Sequence, residues 1–147
     1  MKSLLVSACL LGTPCRYDGQ SKPCPAVLAL KDRYRLVPIC PEVMGGLPTP
    51  RVPSEIQGDR VMMKNGTDVT QNYRMGAEQS LSKAREKQCE IAILKAKSPS
   101  CGKGLVYDGS FQGVLTEGNG VCAALLLQNG IRVYTEAELE TKEVLLP

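Results

Sequence analysis

Apolar residues fall along the chain in short, separate blocks. Leu4 to Ala8 is a short apolar run that ends at Cys9 and predicts a strand buried on both faces, as in a parallel sheet. Pro25 to Leu30 sets a proline in the first-turn position ahead of Ala, Val and Leu, and predicts a short helix. Arg35 to Cys40 is a second strand, stopped by Pro41. Gly45 to Pro53 is too dense in Gly and Pro for regular structure. Ile56 to Lys64 predicts a hairpin about Gly58-Asp59, with Asn65-Gly66 as another turn. From Asp68, a plausible N-cap, a long helix runs to about Lys87, with Val69, Tyr73, Ala77, Leu81 and Ala84 on one buried face. Ile91 to Ala96 is a third strand, Val121 to Leu127 an apolar helix closed by Asn129-Gly130, and Ile131 to Tyr134 a fourth strand. Glu136 to Leu139 begins a last helical turn.

Strands that alternate with helices imply an α/β fold: three layers, a mostly parallel sheet and helices on both faces, Rossmann-like in outline. No repeat or linker divides the chain, so residues 1–147 are expected to form a single α/β domain.

Composition narrows the chemistry. There are seven cysteines and no histidine. Without imidazole, acid–base work falls to Glu, Asp, Lys, Tyr or Cys, and the commonest zinc ligand is missing. An odd cysteine count cannot pair completely into internal disulfides, and a chain of this size has little need of them. Reduced thiols in a cytoplasmic protein are expected. Val6-Ser7-Ala8-Cys9 matches a lipoprotein cleavage box, but the apolar stretch before it, Leu4-Leu5-Val6, is far shorter than the roughly 7–15 residues of a signal sequence. No run approaches the ~20 apolar residues of a membrane span. A net charge of +3 on scattered residues, with one Phe and no Trp, gives no groove for nucleic acid. The expected partner is a small molecule, and the expected assembly a monomer or weak homodimer.

Three cysteines stand where parallel sheets bind ligands. Cys9 ends the first strand, Cys40 ends the second, and Cys101 lies in the loop after the third. Ligands bind outside the carboxyl ends of such strands, where strand order reverses. Three thiols distant in sequence would meet there, and Cys15 is a fourth candidate because its loop returns near Cys9. Cys24 and Cys89 border helices, and Cys122 reads as core. No C-x-x-C or ferredoxin-type run is present, so any iron–sulfur cluster would draw its ligands from along the whole chain. A cubane on three thiolates leaves one iron open to act as a Lewis acid.

Glu42, two residues after Cys40, is placed to serve as a general base, or else is a solvated loop residue. Ser98 and Ser100 flank Pro99 and can donate to an anion or a cluster sulfide, although serine is also an ordinary turn residue. Arg16 and Tyr17 can close over a ligand, while Asp18-Gly19 reads equally as a turn. Lys95 and Lys97 alternate along the third strand. Glu117-Gly118-Asn119-Gly120 opens a helix whose N-terminus attracts anions, but it is not a nucleotide-phosphate motif.

Four segments are distinctive together: Ser7-Ala8-Cys9-Leu10-Leu11-Gly12, Cys15-Arg16-Tyr17-Asp18-Gly19, Cys40-Pro41-Glu42 and Lys97-Ser98-Pro99-Ser100-Cys101-Gly102. Their combination and order resemble the small bacterial family that includes thiouracil desulfidase, over nearly the whole chain. The resemblance implies an oxygen-sensitive [4Fe-4S] cluster held by three cysteines, and non-redox conversion of 2-thiouracil to uracil and hydrogen sulfide. It implies that the thione sulfur binds the open iron and that water attacks the polarised carbon, assisted by a Glu and a Ser. Carried over, these fall on Glu42 and Ser98; Ser100, Arg16 and Tyr17, read from the residues themselves, are expected toward the substrate. Cys101, Cys9 and Cys40 are the ligands implied, and the motifs leave open whether Cys15 displaces one of them. The alternatives are a metal- or sulfur-binding module without catalysis and a plain α/β ligand-binding domain.

Overall fold

The computed structural model describes residues 1–141 and 146–147. In chain order the elements are β1 (Ser3–Ser7), α1 (Pro25–Leu28), β2 (Arg35–Ile39), α2 (Pro41–Met44), β3 (Ser54–Gln57), β4 (Arg60–Met63), α3 (Thr70–Glu86), β5 (Ile91–Leu94), β6 (Leu105–Tyr107), β7 (Leu115–Glu117), α4 (Val121–Gln128), β8 (Arg132–Thr135) and α5 (Glu136–Glu140). Short 3-10 turns follow β1 at Ala8–Leu11 and α1 at Ala29–Asp32.

Burial sorts the strands. β1 and β5 are buried at every position, whereas β2 and β8 alternate with exposed residues. The fully buried pair therefore takes the middle of a parallel sheet ordered β2-β1-β5-β8. On one face Leu5, Val37, Ala92, Leu94 and Val133 pack against Ala77, Leu81 and Ala84 of α3 and Ala123 and Leu126 of α4. On the other, Leu4, Val6, Ile91 and Ile93 meet Val27 of α1, the turn residue Leu10 and Leu139 of α5. The expected three layers are present. A smaller cluster of Leu47, Val61, Val69 and Tyr73 lies beneath the β3–β4 hairpin. Among the described residues no helix is long and apolar enough to cross a membrane.

Several boundaries differ from expectation for identifiable reasons. The third strand stops at Leu94 because the Lys95 N–H donates to Ser7 Oγ and the Ala96 N–H to the Glu136 carboxylate, not to a neighbouring strand. Asp68 does not occupy the N-cap position, which falls to Val69. Its carboxylate still takes the Thr70 N–H at 2.9 Å, so the predicted capping chemistry operates one residue early. The β6–β7 hairpin was not expected, since two three-residue strands are too short to show an alternating pattern. The N-terminus of α4 is not available to an anion: the N–H groups of Val121, Cys122 and Ala123 donate to the carbonyls of Pro99 and Ser100.

One glycine brings the site-bearing turn onto its support. A Cβ at Gly76, in the middle of α3, would collide with the Pro41 carbonyl of α2. Alanine favours a helix interior by about 1 kcal/mol over glycine. Here overpacking of about 1–3 kcal/mol outweighs that gain. Gly76→Ala is therefore expected to lower the urea midpoint of unfolding, and a raised midpoint would show that α2 is not held by this contact.

Candidate active site and metal centre

From β1 the chain passes to β2 on one side and returns to β5 on the other, so strand order reverses between β1 and β5. The crevice at their carboxyl ends is a cavity of about 420 Å³. It is lined by Cys9, Cys15, Cys40 and Cys101, and by Glu42, Ser98, Ser100, Arg16, Tyr17, Lys95 and Lys97. These candidates read from the sequence thus reach one place, whereas Glu117, Gly118, Asn119 and Gly120 do not line it. Cys24, Cys89 and Cys122 do not line it. Burial pushes the Cys122 thiol up to about 12, as suits a core residue.

Each thiol is placed by a different element. Cys9 sits in the 3-10 turn beyond β1, Cys40 immediately precedes α2, and Cys101 follows β5. The Cys40 thiol donates to the Cys15 carbonyl at 3.7 Å, and the Cys15 thiol neighbours those of Cys40 and Cys9. Contact with Cys40 pulls its pKa down, but contact with Cys9 and burial outweigh this and leave it raised. Its hydrogen bond with Cys15, and then burial, hold Cys40 protonated well above the usual thiol range. Cys101 is the most enclosed of the four, and burial raises it strongly, with Cys122 adding to the effect.

Buried thiols of this kind become thiolates when a cation joins them. Among the described residues no three Cys, Asp or Glu side chains converge tightly enough to hold one metal ion. Four thiols around a cavity, without imidazole, fit a multi-iron cluster better than a lone zinc.

The polar side of the cavity is a directed hydrogen-bond chain. Ser98 Oγ accepts from the N–H groups of Ser100 (3.1 Å) and Cys101 (3.0 Å). Ser100 Oγ donates to Glu42 Oε2 at 2.9 Å. A hydroxyl has one proton, so across the 3.0 Å contact between the two serines Ser98 is the donor. Ser100, 2 % exposed, lines the cavity and bridges Ser98 and Glu42. The Tyr73 hydroxyl sits beside Glu42 and Ser54; burial, and then the Glu42 charge, push it well above the usual phenol range.

Arg51 completes the frame. Its Nε donates to Glu42 Oε1 at 2.9 Å, with the two side chains 3 % and 14 % exposed. The remaining nitrogens donate to the carbonyls of Cys15 and Pro48 and to Thr49 Oγ1. One guanidinium thus ties the carboxylate to the loop carrying Cys15. Sequence reasoning missed Arg51 because it lies in the Gly- and Pro-rich stretch, where periodicity carries no signal. Tyr73 is visible only as a helix-face position. At the mouth, Tyr17 is 42 % exposed, Arg16 approaches Asp18 at 3.8 Å, and its guanidinium lies 5.8 Å from the Tyr17 ring. Lys95 pairs with Glu136 at 3.0 Å.

A parallel sheet with thiols and a carboxylate gathered at its strand reversal defines a Rossmann-like α/β enzyme with a thiol-lined crevice. The 2-thiouracil desulfurase family profile matches residues 4–138, and the chain belongs to that family. It is similar to a solved structure described as the [4Fe-4S]-dependent thiouracil desulfidase TudS, at 46% identity and a TM-score of 0.90, covering 96% of this chain and 95% of that one. An uncharacterized protein of Bacillus subtilis (strain 168), YbbK, is 42% identical over 92% of this chain and 97% of its own.

Removing the Arg51 head group leaves the enclosed Glu42 carboxylate and the part-buried Cys15 carbonyl unpartnered. Breaking a buried pair costs about 3–5 kcal/mol. Arg51→Ala is expected to lose that much in urea unfolding, and Arg51→Lys to recover only part of it, because an ammonium cannot reproduce the fork. Full recovery in Arg51→Lys would reduce Arg51 to a point charge.

Proposed function

We propose that this protein is a [4Fe-4S]-dependent desulfidase that hydrolyses the thiocarbonyl of 2-thiouracil and related thiolated pyrimidines. The observation that carries the reading is the junction, in one cavity, of four thiols with the Ser98–Ser100–Glu42 chain. Family membership and the similarity to TudS support it. In this reading Cys9, Cys40 and Cys101, one from each of three strand ends, hold the cluster, with Cys15 beside them as the alternative ligand. When bound, the cluster supplies a thiophilic Lewis-acid iron.

The protein's own groups handle water and protons. Glu42, held by Arg51 and aligned by Ser100, takes a proton from the attacking water. A carbon–oxygen bond forms, the carbon–sulfur double bond breaks, and sulfur leaves as hydrogen sulfide carrying both protons of the water. No electron passes to an outside acceptor. Ser98, whose oxygen accepts from two N–H donors, donates through Ser100 to Glu42 and aligns the carboxylate for that proton, which then passes to the departing sulfur. The same reading puts the protein in the cytoplasm as one α/β domain, a monomer or weak homodimer. It acts on a free base and not on nucleic acid, consistent with its scattered charge of +3.

Reconstituted with iron and sulfide under nitrogen, the wild type is expected to hold about four irons per chain and to release sulfide from 2-thiouracil. Cys9→Ser, Cys40→Ser and Cys101→Ser should each lose most of that iron, while Cys15→Ser keeps it. Iron retained in any of the first three reassigns that ligand. A loaded protein that releases no sulfide from any thiopyrimidine is a binding module and not an enzyme.

Glu42→Gln is expected to keep its iron and visible spectrum while kcat falls by about 10²–10⁴-fold. Turnover within about twofold of wild type would remove Glu42 from the proton-transfer step.

A further inference from the structure

Aromatic side chains are scarce in this protein and unevenly placed. There are five Tyr, one Phe and no Trp. Tyr17, Tyr73, Tyr107 and Phe111 all line the crevice. Tyr73 is explained by the cluster beneath the β3–β4 hairpin, but Phe111 belongs to none of the three apolar clusters. Its ring is only half buried, so packing does not account for it.

The loop that carries Phe111 is held in place against resistance. Phe111 has φ +58, a conformation rare for a bulky side chain and common where structure over-determines a functional position. Glu55 Oε1, on β3, accepts from both the Gly109 N–H (2.9 Å) and the Phe111 N–H (3.1 Å). Gln57 Nε2 donates to the Gly109 carbonyl at 2.8 Å. The loop runs so close to β3 that a Cβ on Gly109 would stand 2.7 Å from the Ile56 carbonyl oxygen. Two side chains of β3 thus clamp the tip of the β6–β7 loop and fix a ring at the cavity wall.

We propose that Phe111 is a specificity residue whose ring stacks on the planar face of the thiolated base. This rests on the desulfidase reading above and adds what that reading lacks, a reason for choosing rings. The thiols and Glu42 address a thiocarbonyl in any compound, cyclic or not. A fixed aromatic face favours a flat heteroaromatic ring, because base–aromatic stacking is a substantial and geometry-dependent attraction.

The test titrates uracil calorimetrically into cluster-loaded wild type, Phe111→Leu and Phe111→Tyr, and measures kcat and KM for 2-thiouracil in each. Phe111→Leu keeps an apolar side chain at the site and removes only the aromatic face. It is expected to weaken uracil binding about tenfold and to raise KM by a similar factor, with the visible spectrum unchanged. Phe111→Tyr should stay within about twofold of wild type. Equal binding and equal KM in Phe111→Leu overturn the proposal while the desulfidase reading stands. Uracil binding that depends on Phe111 without sulfide release keeps the ring site and overturns the reaction. A wild type that neither binds uracil nor releases sulfide overturns both.

Discussion

The reversal of strand order between β1 and β5 is the constraint from which the site follows. Both strands are buried on both faces and lie in the middle of the sheet. Once they are paired in parallel, their carboxyl ends open side by side, and the chain leaving each must turn away in opposite directions. That divergence leaves a crevice which no side chain of the sheet fills. Cys9 and Cys40 line it because they follow β1 and β2 directly, and Cys101 arrives by the loop from β5. The core therefore determines the position of the thiols as well as the stability of the domain.

The crevice would be a poor place for a charge without Arg51. Glu42 is nearly enclosed, and an isolated carboxylate there would carry a heavy desolvation penalty. A guanidinium whose nitrogens are spent on Glu42, Thr49 and two backbone carbonyls offsets that penalty and fixes the carboxylate's orientation. Because Arg51 also grips the Cys15 carbonyl, the loop bearing a thiol and the helical turn bearing the base move as one unit. The close contact of Gly76 with Pro41 fixes the same turn from below. Position in the proposed reaction is thus set by two separate constraints on one four-residue helix.

Strand blocks and motif residues were legible in the sequence because they depend on local pattern. The parallel sheet, the buried face of α3 and the meeting of the four cysteines were all readable before any coordinates. Arg51 was not, because its partners lie nine and thirty-six residues away and no periodicity marks them. The ends of elements were misjudged where side chains replaced backbone partners, as Ser7 and Glu136 do after β5. Ser100 shows a third kind of gap. Its presence in the motif was plain, but its role as a bridge depends on which atom donates to which, and only geometry states that.

A chain without histidine must do its proton work with groups whose ordinary pKa values lie far from neutrality. A carboxylate alone is a weak base toward water. Coupling it to two hydroxyls lets charge spread along hydrogen bonds, and the backbone N–H groups of Ser100 and Cys101 stabilise negative charge at the far end, on Ser98. Those two N–H groups belong to the loop that presents Cys101. Binding a cluster there would order the same backbone that polarises Ser98, so metal loading and proton transfer would be coupled through a single turn of chain. The cavity would accordingly divide into two parts. At the deep end, thiols and the carboxylate–hydroxyl chain handle sulfur and water, and at the mouth an aromatic wall chooses what is brought to them.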